Sequence, residues 1–206
     1  MTDAHAAVME SHWGGGAQPF GASWQKTMMW IFIVTDALLF SGLLCGYGYL
    51  RMASPVPWPE TTRVFSIPFI ALMTLILISS SATMGTAVTA ARLGDRKKAL
   101  FNLCLTIFGG LCFLGCQAYE WSHIIHEGAR LTSNPWGAPQ FGASFFVLTG
   151  FHGSHVFSGL VILSITAIRS ALGKTPAQGV EMAGLYWHFV DLVWVFIFTL
   201  FYLLPS

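Results

Sequence analysis

Charge is scarce in this sequence. Only 9% of its 206 residues are Asp, Glu, Lys or Arg, against 54% hydrophobic, which is too little charge to solvate the surface of a globular protein of this size. With a mean hydropathy of +0.63, a soluble class is excluded and an integral membrane protein is implied. The formal net charge of +1 and the want of a basic patch interleaved with aromatics exclude nucleic-acid binding. Cysteine is sparse as well. Cys45, Cys104, Cys112 and Cys116 form no Cys-x-x-Cys unit, which removes a zinc ribbon and a disulfide framework, and thiols in apolar runs behave as small hydrophobes. No Walker loop, dinucleotide fingerprint or fixed-period repeat is present. Proline enters the long apolar runs only at Pro68, in a first helical turn where it breaks nothing. The Gly/Pro-broken helices that mark a transporter are therefore not indicated.

What the chain does have is long apolar runs. A bilayer core about 30 Å thick needs roughly 20 mostly apolar residues per helix, and five stretches qualify: residues 26–50, 66–91, 98–124, 142–168 and 180–204. The fold class expected is all-α integral membrane, one five-helix bundle over residues 25–206. Residues 1–24, with "GGG" and "QPFGAS", lack periodicity and read as a mobile tail. That tail has no apolar h-region, so a cleaved signal is not expected and the N-terminus is placed in the cytoplasm. Basic residues in the short loops agree. With the N-terminus inside, Lys26, Arg92, Arg96, Lys97, Lys98, Arg169 and Lys174 lie inside and Arg51, Arg63 and Arg130 outside, which puts the C-terminus on the periplasmic side.

Helices associate in membranes through small residues and polar contacts. Ser79, Thr83, Thr86 and Ala90 form one such stripe on the second run, and Gly150, Ser154 and Ser158 another on the fourth. Ionisable residues inside apolar runs are functional candidates by default, and "FFVLTGFHGSHVFSGLVIL", residues 145–163, contains two of them, His152 and His155. At a rise of about 1.5 Å per residue, Asp36, His152 and Asp191 fall near mid-bilayer, while His155 and His188 lie about a turn nearer the inner side. Glu120 falls at the outer interface.

Three uses of these residues stay open on physical grounds. Glu120-x-x-His123 has the spacing of di-iron bundles, and His155 with His188 has matching depth for a haem, but a di-iron site wants a second Glu-x-x-His unit that the sequence lacks. A proton or ion relay could use Asp36, His152 and Asp191, although the second run supplies no titratable group. Last, acids and histidines can satisfy one another between helices, worth about 0.6 kcal/mol per bond, in a structural membrane subunit.

The motif strings carry a resemblance. "FFVLTGFHGSHVFSG" and "EMAGLYWHFVDLVWVFIF", preceded in order by "FIVTDALLFSG", "GDRKKAL" and "LGCQAYEWSHII", resemble subunit III of the haem-copper respiratory oxidases across residues 25–204, in its five-helix bacterial form. The resemblance implies an accessory subunit of a proton-pumping terminal oxidase in the bacterial plasma membrane. Such a chain holds no haem or copper, packs with subunits I and II that do, binds phospholipid, and supports proton uptake and the lifetime of the oxygen-reducing centre. It implies a cytochrome c oxidase, with a supercomplex as a further partner. Asp36 of the "TD" pair stands where cytochrome oxidase members usually have glutamate, which bears on the electron donor, and since related five-helix chains accompany quinol oxidases and nitric oxide reductases, a subunit III of the former and an accessory chain of the latter are alternatives. Asp36, Glu120, His152, His155, Glu181, His188 and Asp191 match motif positions, with Trp187 and Trp194 as packing or lipid aromatics. Asp36 is expected to hydrogen-bond His152 between the first and fourth helices, and His155 to pair with polar groups of the fifth helix, His188 or a backbone carbonyl.

Overall fold

The computed structural model describes residues 23–204. The expected mobile tail, residues 1–24, lies outside the described residues save for Ser23 and Trp24. These two open the first helix: the Ser23 hydroxyl accepts the amide N–H of Lys26, the usual N-cap contact.

Five long helices and one short one follow. They are α1 (Trp24–Met52), α2 (Thr61–Val64), α3 (Ile67–Arg92), α4 (Arg96–His126), α5 (Pro139–Ala171) and α6 (Ala177–Ile197), the last running on into a π-helical turn, Phe198–Leu203. All but α2 are long and apolar enough to cross a membrane, and, counting the π-helical turn with α6, each lies within three residues of its expected run at both ends. Gly94 and Gly173, at φ +77° and +73°, end α3 and α5 in the left-handed conformation that side-chain-bearing residues avoid. Asp95 then caps α4 through its side chain, which accepts the Lys98 N–H at 3.1 Å.

α3 and α4 form the most extensive pair. α6 packs on α3, α5 and α1, α4 also packs on α5, and α1 rests mainly on α6 with a smaller contact to α5. α6 is accordingly the central helix, with 56% of its most apolar window buried against 11% for α1. Lys26, Arg92, Arg96 and Glu181 mark one end of the bundle, where Arg96 donates to the Ser170 and Ala171 carbonyls at 2.6 Å and closes α4 onto α5. At the opposite end Phe65, Phe141, Phe145, Phe201 and Tyr202 form an aromatic cluster.

Small residues set the closest approaches. The Trp187 indole of α6 lies against Gly110 of α4 and Gly159 of α5, where an added Cβ would meet its ring at 2.6 and 3.0 Å. Gly109 meets Ser80 in the same way at 2.8 Å. The seam on α3 thus runs through the buried Ser80, Met84, Ala87 and Ala90, so that of the expected Ser79–Ala90 stripe Ala90 lies on it and Ser79 and Thr86 fall one step around the helix. Of that stripe only Thr83 reaches across with its side chain, to Thr106 at 2.8 Å, while Ser79 and Thr86 bond their own helix. The α5 stripe also divides: Gly150 faces Trp121 of α4, Ser158 bonds Tyr186 of α6 at 2.7 Å, and Ser154 turns back to Phe151.

Candidate functional site

α1 presents one buried acid, and α5 answers it. Asp36 Oδ2 lies 3.3 Å from His155 Nε2, with both side chains largely buried. His155 Nδ1 is 2.8 Å from the Phe151 carbonyl oxygen. A carbonyl can only accept, so Nδ1 carries a hydrogen and Nε2 faces the carboxyl group. The two groups face each other across this gap, and Asp36 Oδ2 completes no hydrogen bond among the described residues. Phe40 stacks edge-on against His155 at 5.1 Å and screens the pair.

The partner of Asp36 is therefore His155 and not His152. His152 is fully buried, and neither of its ring nitrogens has a hydrogen-bond partner among the described residues. It sits among Phe40, Phe113 and Trp194, at ring distances of 6.5, 5.8 and 5.1 Å. Depth placed His152 level with Asp36, but three residues along a helix also turn the side chain by about 60°, and that rotation decides which histidine faces α1. His155 does not pair with His188 either, since His188 Nδ1 meets the Ser81 hydroxyl of α3 at 2.6 Å. The other ring nitrogen of His155 contacts the Phe151 carbonyl of α5 itself, so the expected side-chain pairing with the last spanning helix is not formed.

The remaining polar residues are spread along the bundle. Asp191 is buried beside Ser81, with no hydrogen bond to either oxygen among the described residues, so the expected Asp36–His152–Asp191 group is not formed. Glu181 bridges Lys26 of α1 at 2.6 Å and Arg92 of α3 at 3.0 Å. Gln178, one turn earlier, donates to the Ser23 hydroxyl. Glu120 Oε2 accepts the Tyr202 hydroxyl at 3.3 Å, and its Oε1 has no hydrogen-bond partner among the described residues. Tyr202 lies fourteen residues beyond His188, about 21 Å along the helix, so Glu120 and His188 do not share a site. Among the described residues no three His, Cys, Asp or Glu side chains converge as metal ligands.

Trp187 and Trp194 are fully buried rather than lipid-facing, and donate to Ser80 at 3.1 Å and Thr74 at 3.0 Å. Those hydroxyl partners on α3, like Ser81, were not singled out from the sequence. A signal for them existed, because a buried indole N–H in a membrane needs an acceptor and α3 is the hydroxyl-rich helix. Gln117 was missed as well; it donates to the Thr149 carbonyl at 2.6 Å and ties α4 to α5.

Comparison with known proteins gives the arrangement its context. A family model described as cytochrome c oxidase subunit III matches residues 4–206. A protein of Staphylococcus saprophyticus named probable quinol oxidase subunit 3 is 33% identical over 205 residues, covering 98% of this chain and 96% of the relative. One of the same name from Staphylococcus aureus strain USA300 is 36% identical over 182 residues, covering 87% and 88%. With a match over nearly the whole chain and five membrane-length helices bearing those motifs, this protein belongs to the subunit III family of the haem-copper oxidases.

Proposed function

We propose that this terminal-oxidase subunit performs no redox step of its own and acts by packing on the haem-bearing subunit I, beside subunit II, in the bacterial plasma membrane. There it holds phospholipid and supports proton uptake and the working lifetime of the oxygen-reducing centre. The basic end of the bundle, carrying Lys26, Arg92 and Arg96, lies in the cytoplasm by the excess of positive loops on that side. The observation that supports the proton-related role is the Asp36–His155 contact at 3.3 Å, an acid and an imidazole facing each other between two helices in an otherwise apolar stretch.

Two donor readings rest on different observations. The strings "GFHG", "QAYE" and "YWHFVDLVW" favour a cytochrome c oxidase, whereas the names of the Staphylococcus relatives favour a quinol oxidase. Purification of the tagged chain in mild detergent, with an optical spectrum and mass spectrometry of what accompanies it, tests both. Haem bands from a large co-purifying subunit support the accessory role. A copper-bearing second subunit then indicates cytochrome c and a copper-free one quinol. Haem or metal kept by the isolated chain sinks the proposal.

A further inference from the structure

Away from the Asp36–His155 pair, the end of the bundle opposite the basic one contains a cleft between the start of α3 and the end of α4. It holds about 230 Å³, and Ser66, Glu120 and His123 are among its lining residues. Glu120 retains only 6% of its exposure there. One carboxyl oxygen accepts the Tyr202 hydroxyl, and the other, Oε1, is buried without a hydrogen-bond partner among the described residues. A carboxylate with one oxygen unanswered is costly in such a place, and no Lys or Arg lines the cleft to answer it. A second acid adds to the demand: Glu127 stands one turn beyond His123, its Oε1 3.6 Å from the ring Nδ1. The cleft calls for a cation.

The imidazole decides which cation. Glu120 and His123 stand three residues apart on α4, so they share one side of the helix, and both line the same cleft. Glu-x-x-His is a spacing that lets one helix offer a carboxylate and an imidazole to one metal ion. No third His, Cys, Asp or Glu converges with them among the described residues, so the site is mononuclear, two side chains completed by water. Carboxylate oxygen with imidazole nitrogen is a donor set of Zn²⁺ and its neighbours among the transition ions, whereas Ca²⁺ and Mg²⁺ take oxygen ligands. Both ligands are held in place from behind. The Tyr202 hydroxyl bonds the far oxygen of Glu120, the kind of outer contact that orients a metal-binding carboxylate. His123 Nδ1 faces Glu127, and a partner on one ring nitrogen sets the other, Nε2, as the metal ligand. Ser66, the N-cap of α3, makes no capping bond with its side chain, which leaves its hydroxyl for a metal-bound water.

We propose that Glu120 and His123 form an exchangeable site for one divalent transition-metal ion of the zinc type. Binding neutralises the buried carboxylate and, through Tyr202, couples the end of α4 to the π-helical turn that follows α6. Two side chains at an open cleft release their ion to a chelator, so this is not a redox metal retained by the isolated chain, and the accessory role proposed above does not depend on it.

The test is equilibrium dialysis of the chelator-washed complex that the chain purifies with, against micromolar Zn²⁺, with bound zinc counted by atomic absorption. Tyr202→Phe keeps both ligands but frees the carboxyl group and should weaken one zinc site about tenfold. Glu120→Gln and His123→Ala each remove a ligand and should weaken the same site further, while a large excess of Ca²⁺ leaves the wild-type site filled. His123 is exposed, so its variant serves if Glu120→Gln fails to assemble. Equal zinc binding by the wild type and His123→Ala overturns the proposal. Displacement by Ca²⁺ overturns it too and assigns the cleft to a hard cation held by carboxylate alone. Haem absorbance of each preparation reports assembly with the haem-bearing subunit, so a failed metal site and a failed subunit assignment remain distinguishable.

Discussion

His152 and His155 stand one turn apart on α5 and meet opposite surroundings, one enclosed by aromatic rings without a hydrogen bond, the other facing a carboxyl group. Their substitutions should diverge accordingly. Removing a buried polar group that has no partner costs little when the volume is kept, so His152→Phe should leave thermal stability within about 1.5 kcal/mol of wild type. Asp36→Ala strands the imidazole of His155 and should destabilise the chain by about 1–3 kcal/mol. It should loosen assembly or shorten catalytic life while the haem absorbance stays unchanged, and a lost haem band would count against the accessory role. Gly110→Ala would force a methyl group onto the Trp187 ring at 2.6 Å and should lower stability by about 1–3 kcal/mol through overpacking, read from the thermal melt in detergent. The two histidines were both legible in the sequence as marked residues; which one meets Asp36 was not. Residue counting fixes height along a helix, and the rotation of each helix about its axis is set by tertiary packing.

At the scale of elements, the five spans were legible because twenty-odd apolar residues have no other stable arrangement in a bilayer. α2 and the π-helical turn were not. A four-residue helix has no period to detect, and Thr61 and Arg51, remote in sequence, bond the Tyr202 and Leu204 carbonyls at and just beyond that turn. α1 shows how separate contacts hold a weakly packed helix: Gln178 and Glu181 grip its start, His155 its middle, and Arg51 reaches Leu204 from its end. Glu181→Gln should weaken both the Lys26 and Arg92 pairs. Because the lysine and arginine are partly exposed, the loss should stay below about 1 kcal/mol. It should appear as faster amide exchange in the first turns of α1 with α4 and α5 unaffected. Equal acceleration throughout the bundle would show that the bridge is not a local clamp.

For the whole molecule, the orientation argued from loop charge yields a direct check. Cysteines placed at Thr132 and at Leu172, both exposed, should react oppositely with a membrane-impermeant maleimide on intact cells, Thr132→Cys labelled and Leu172→Cys protected until lysis. The reverse pattern would invert the topology. The central place of α6 also bears on how the chain is made. Synthesis runs from the N-terminus at about 5–20 residues per second, so α1 enters the membrane first, yet its main partner, α6, is the last helix to leave the ribosome. The first helix made must therefore wait in lipid for the last. A chain truncated before residue 177 would strand α1 and uncover the faces of α3 and α5 that α6 covers, which makes completion of the C-terminal helix the step that commits the subunit to its folded form.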